Sequence, residues 1–92
     1  MLTVAEALAA PPGSTVTVRG YVVATAGMTV LCEMLAESYP PQPGGAQMAV
    51  EGLDIAALTD TVSAGDTTWT EDQRTVTGIV AGGGVLRVSQ EA

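Results

Sequence analysis

The sequence predicts a mainly β domain: a small five-stranded barrel with a short leading helix and a short helix between strands three and four. Three observations predict it. Threonine and valine alternate with period two over Thr15–Ala24 and again over Arg74–Val80, the pattern of strands with one buried face. Gly20 interrupts the first alternation where an inward side chain would fall, and an interior strand glycine marks a bulge or a barrel corner. Finally, 92 residues, 47% apolar and 14% charged, make a single domain over 1–92, too small for two cores and too apolar for a disordered tail.

The leading helix is expected from Val4 to Ala10. Thr3-Val4-Ala5-Glu6 fits a capping box, in which the Thr3 hydroxyl accepts from the Glu6 N–H and the Glu6 carboxylate accepts from the Thr3 N–H. Val4, Ala7 and Leu8 share a face suited to plugging an apolar opening, and Pro11-Pro12-Gly13 stops the helix. In strand one, Val16, Val18 and Val22 point inward and Thr15, Thr17, Arg19, Tyr21 and Val23 outward. A turn at Thr25-Ala26-Gly27 leads to strand two, Met28–Glu33, with Met28, Val30 and Cys32 on the core face and Thr29, Leu31 and Glu33 opposite.

Leu35–Ser38 reads as a helical turn, and Tyr39-Pro40-Pro41-Gln42-Pro43-Gly44-Gly45 as a proline-stiffened loop. Strand three is Ala46–Glu51, with Met48 and Val50 inward. Leu53, Ala56, Ala57 and Leu58 have helical spacing, followed by a polar run over Thr59–Thr68 that Trp69 breaks. Strands four and five are Arg74–Val80 and Val85–Ser89, joined through Ala81-Gly82-Gly83-Gly84, and the last residues fray. The similarity of Thr15–Val22 to Arg74–Val80 is that of two half-buried strands rather than of a repeat.

Ten carboxylates against three arginines, with no lysine or histidine, give a net charge of -7 at pH 7, which repels phosphate backbones and anionic membranes. The absence of histidine removes the usual general base near neutrality, the usual activator of a nucleophile and the commonest transition-metal ligand, so the chain reads as non-enzymatic. Cys32 is the sole cysteine, so it forms no internal disulfide and reads as a buried free thiol. The bias against lysine, asparagine, phenylalanine and isoleucine points to a GC-rich genome. No basic region with a following apolar stretch opens the sequence, and no run approaches a membrane span. A cytoplasmic location is expected if Met1 is the native start, an exported one if a leader preceded it.

Five strands with a helix between the third and fourth resemble the OB-fold, a partly open Greek-key barrel. The Val16–Val22 strand and the closing hairpin around Gly78 and Gly82-Gly83-Gly84 look like its first and last two strands. The leading Val4–Leu8 helix is similar to that of small bacterial OB-fold proteins of the periplasmic stress type. More specifically, Leu31-Cys32-Glu33, Glu37-Ser38-Tyr39-Pro40-Pro41-Gln42, Gly44-Gly45 and Val50-Glu51-Gly52-Leu53-Asp54 resemble a group of uncharacterised bacterial proteins, some of them predicted exported lipoproteins. In the members it most resembles, a second cysteine stands where this chain has Pro43, which would let the pair clip the loop to strand two. Here that pairing is lost. The resemblance implies the fold and no established activity or cofactor.

The candidate ligand-binding residues are Tyr39, Pro41 and Gln42 in the proline loop, together with Trp69. Prolines reduce the entropy lost when a loop binds, and tyrosine offers a rigid amphipathic surface. The competing reading has Tyr39 covering a barrel end and Trp69 capping the core. The expected function is a binding module for a protein, peptide or neutral small ligand. The alternatives are a calcium-binding domain using Asp60, Asp66, Glu71 and Asp72, whose spacing matches no calcium loop, and a nucleic-acid-binding barrel, disfavoured by charge. Glu33 and Glu37, one helical turn apart if helical, would repel, and Cys32 lacks a histidine to activate it.

Overall fold

The computed structural model describes residues 1–88. In chain order it contains α1 (Val4–Leu8), β1 (Thr15–Thr25), β2 (Met28–Ala36), β3 (Gln42–Glu51), a single 3-10 turn (Ile55–Ala57), β4 (Thr61–Ala64), β5 (Thr67–Thr70), β6 (Arg74–Ala81) and β7 (Val85–Val88). Five strands close a barrel in the order β1-β2-β3-β7-β6 and back to β1. Every neighbouring pair is antiparallel except β3 and β7, which run parallel through Ala49–Glu51 and Val85–Arg87. The predicted barrel and leading helix are therefore present.

Closure depends on β1 changing partners. Thr15–Gly20 pair with Arg74–Ile79 of β6, and Tyr21–Thr25 pair with Met28–Cys32 of β2. Gly20 stands at the change. A Cβ there would lie 2.7 Å from the Cys32 carbonyl oxygen and 3.1 Å from Val4 Cγ2, so only glycine lets the strands approach this closely. Gly78 does the same where β6 meets β7, since a Cβ would overlap the Arg87 carbonyl.

The helix is capped as predicted: the Thr3 N–H donates to Glu6 Oε1 at 2.8 Å and the Glu6 N–H to Thr3 Oγ1 at 3.1 Å. It ends at Leu8 rather than Ala10, because the last turn tightens to i→i+3 bonds, Ala9 N–H to Glu6 O and Ala10 N–H to Ala7 O, ahead of the prolines. Glu33 of β2 takes up a further free donor, the Ala5 N–H, at 3.1 Å. Val4 and Ala7 are thereby held in the barrel core with Val18, Val22, Leu31, Met48, Val50, Val76, Val80 and Leu86. Leu2 forms a parallel bridge to Val18 that ties the segment before the helix to β1.

Several elements differ from the sequence expectation. The predicted helical turn at Leu35–Ser38 is instead strand as far as Ala36, and the loop through Gly45 becomes strand from Gln42. Met34, Leu35 and Ala36 pair with Gly44, Pro43 and Gln42, and the register slips by one residue between Cys32 and Met34, on the β3 side. Gly45 at φ +68° accommodates that slip, as a bulge glycine does. Pro43 is tolerated because β7 reaches only Ala49–Glu51, leaving this part of β3 with β2 as its one ladder partner. The helix expected between strands three and four shrinks to the 3-10 turn, with Asp54 Oδ1 accepting from the Ala56 N–H at 3.0 Å. Most of the polar run over Thr59–Thr68 is strand: from Thr61 it forms, with Trp69 and Thr70, the β4–β5 hairpin, whose Gly65 sits at φ +59° in the first position of a two-residue turn. Ser89, expected to end the last strand, lies outside the described residues.

Gly20→Ala forces β1 from β2 and is expected to lower the unfolding free energy by about 1–3 kcal/mol, read as a shift in urea midpoint. A Cβ on Gly82 meets open space, so Gly82→Ala leaves the midpoint in place.

Candidate functional site

The β4–β5 hairpin attaches to the outer edge of β1 beyond the end of β6. Trp69 and Thr68 pair with Val23 and Ala24. The resulting surface carries a second apolar cluster outside the barrel: Val23, Cys32 and Trp69 are buried, with Tyr21, Val30, Leu35, Val62 and Ala64 packed around them. Cross-strand registers place Val62, Trp69, Val23 and Val30 in one row over β4, β5, β1 and β2.

This cluster corrects the expected faces of strands one and two. Leu31, assigned outward, fills the barrel, whereas Val30 and Cys32, assigned to the core face, belong to the outer cluster. Val23, assigned outward, is likewise buried under Trp69, and Met28, assigned inward, is 60% exposed at the hairpin tip. Alternation separates two faces without saying which is the barrel interior, and here both are covered.

Thr70 fastens the hairpin. Between Gly20, the last partner of β6, and Val23, the first of β5, the Val22 N–H finds no strand on that edge and donates to the buried Thr70 hydroxyl at 3.0 Å. At the same open end of the hairpin, Arg74 donates from Nη2 to the Thr59 carbonyl at 2.7 Å and from Nε to Asp72 Oδ1 at 3.0 Å. Asp60, beside it, takes φ +58°, a conformation that Asp tolerates better than most residues.

Above the cluster lies the proline loop. Tyr39 packs edge-to-face on Trp69, with ring centroids 5.7 Å apart and planes at 88°. Tyr39 remains 77% exposed while Trp69 is 3% exposed, so the indole serves as the support and the phenol as the surface. The Ser38 hydroxyl donates to the Pro40 carbonyl at 2.9 Å across a cis Tyr39–Pro40 bond. Pro41 is half-buried, and Gln42 is exposed and opens β3 opposite Ala36. Of the predicted set, the structure thus brings Tyr39 and Trp69 into contact, and Pro41 and Gln42 follow Tyr39 along the loop.

Other candidate groups are not assembled. Asp60 and Asp66 stand at opposite ends of β4, and Asp72 is paired with Arg74. Among the described residues, no three of His, Cys, Asp and Glu form a group able to hold a metal ion. Glu33 turns to the helix and Glu37 lies past the end of β2. An open cleft of about 300 Å3, lined by Ala57, Leu58, Thr59, Arg74 and Thr75, has its only cation engaged by Asp72 and the Thr59 carbonyl. Among the described residues, no helix is long and apolar enough to cross a membrane.

Cys32 is held as a thiol. Burial pushes its pKa above the ordinary 9.0, with the Gly44 and Met34 backbone only partly opposing the shift. Its sulfur lies 3.5 Å from the Tyr21 carbonyl, which accepts the S–H. The cluster residues missed by sequence reading were Val62 and Ala64, hidden in a Thr-rich run whose period-two signal is short.

No family model, curated protein or solved structure matches this chain.

Three outcomes follow from the way the hairpin and the cluster are held. Thr70→Val strands the Val22 N–H in the interior and should cost about 1–3 kcal/mol, whereas Thr70→Ser keeps the acceptor, as denaturant titration will show. Cys32 should react slowly with a disulfide reagent in the folded protein and at the ordinary thiol rate in urea. Because the folded pKa is the higher one, its contribution to stability is complete below pH 9.0 and declines above it as the unfolded thiol ionises, a decline that Cys32→Ala removes.

Proposed function

We propose that the chain is a non-enzymatic, OB-like binding module that takes a protein, peptide or neutral small ligand on the surface formed by Tyr39, Pro41 and Gln42 over Trp69. The observation that carries this reading is the Tyr39 ring, 77% exposed yet braced against a buried indole. A side chain already held in place loses little freedom when a ligand covers it, and tyrosine supplies both an apolar face and a hydroxyl. Pro40, Pro41 and Pro43 limit the loop in the same sense. The net charge of -7 directs the surface away from polyanions.

Panning a displayed peptide library on the protein should yield binders whose capture falls about tenfold or more with Tyr39→Ala and is retained with Tyr39→Phe. The alanine variant should lose only about 0.5–1.5 kcal/mol of stability, the worth of the edge-to-face contact. Binders indifferent to Tyr39→Ala would remove this surface from consideration.

A further inference from the structure

The sheet ends at β4. That strand pairs with β5 and, among the described residues, with no other strand. Ala64 and Thr67 flank the two-residue turn and exchange ladder bonds, and the alternation of an antiparallel pair then turns the N–H and C=O groups of Thr61 and Ser63 away from β5. Edges of this kind are usually guarded by brevity, a charge, a proline or a bulge, and of these β4 has its four-residue length. Thr61-Val62-Ser63-Ala64 has no charge and no proline, and its register with β5 runs without a slip.

We propose that the outer edge of β4 receives an extended, basic peptide segment as an added strand. The proposal rests on reading the Tyr39 surface as a binding face, because Val62 is the edge residue of the row that passes through Trp69, the support of Tyr39. A strand added beside β4 extends that row by one position, so an apolar side chain opposite Val62 continues the outer cluster. The flanks set the charge. Asp60 and Asp66 are exposed at the two ends of β4 and Glu71 is exposed just after β5, while the one nearby cation, Arg74, which bonds the Thr59 and Asp60 carbonyls, is already paired with Asp72. A second copy of this chain is the less suitable occupant, because two molecules of net charge -7 repel, and in the antiparallel register centred on Ser63 Asp60 of each copy also faces Asp66 of the other. The Arg74 bond to the Thr59 carbonyl holds the entry to β4 in place, so the edge is already formed before a peptide arrives.

The test uses two pools of short peptides with the same alternating Thr/Val centre, one with arginine at both ends and one with glutamate, titrated into the protein and followed by its amide NMR spectrum. The arginine pool is expected to shift the Thr61 and Ser63 amides, and the glutamate pool is not. An arginine pool N-methylated on every central residue has no backbone donor on either edge, cannot complete the ladder and should lose capture with the protein unaltered. Ser63→Pro, which removes an outward N–H and leaves the β5 ladder intact, should weaken capture about tenfold or more, and Asp60→Asn with Asp66→Asn should erase the preference for arginine. The proposal is overturned if neither pool moves the β4 amides, if N-methylation is without effect, if both pools bind alike, or if sedimentation shows a dimer that Ser63→Pro dissolves. Panned binders that need Tyr39 yet still bind Ser63→Pro would end the edge proposal and leave the Tyr39 surface standing; edge binding that ignores Tyr39→Ala would do the reverse.

Discussion

The close approach of β1 to β2 at Gly20 is the constraint on which the rest of the molecule depends. One strand must satisfy β6 along its first half and β2 along its second, and a straight strand cannot. Because a Cβ at position 20 would press into the Cys32 carbonyl, the bend needs a residue without one. Val4 sits against the same point, so the helix that plugs the barrel is seated by the bend that closes it. Gly78 and Arg87 form the matching close crossing of β6 and β7.

The bend also creates the candidate site. Past Gly20, β1 leaves β6 and exposes an edge that β5 takes over from Val23 onward, with the Thr70 hydroxyl covering the gap at Val22. The hairpin brings Trp69 onto the outside of β1 and β2, which gives both strands a second buried face. Val22 and Leu31 face the barrel interior while their chain neighbours Val23 and Cys32 face the indole. Tyr39 is then supported from below by the same indole. Barrel closure, the outer cluster and the exposed phenol are thus links of one chain of contacts, and the full burial of Cys32 in the middle link is what raises its pKa.

Legibility differed from segment to segment for physical reasons. The capping box, the two long Thr/Val strands and their glycines were readable because each is a local pattern with a local cause: side chains that reach their own backbone, or a residue type that alone permits a conformation. The proline segment reads as loop in the sequence although proline forbids only the ladder bond it would donate, and among the described residues β3 has no strand beside its other edge at Pro43. The β4–β5 hairpin escaped notice because Thr61–Thr70 is polar by composition, and its apolar contribution comes from Val62, Ala64 and Trp69 once they face β1. For the site, the sequence marks Tyr39 and Trp69 as ligand-binding candidates with Trp69 also readable as a core cap, but their contact spans thirty positions and two connections that carry no mark of it in the sequence.

By itself the sequence determined a single β-rich barrel with a capped leading helix, a bend at Gly20, an acidic surface and an unpaired thiol, since composition, period and glycine placement act within a few residues of one another. Only the tertiary structure decided which face of β2 is the interior, that Cys32 lies outside the barrel, that Trp69 is support rather than surface, and that the sheet ends on β4. Those facts depend on which strand arrives beside which edge. A period of two distinguishes the sides of a strand; what covers each side is a property of the whole fold.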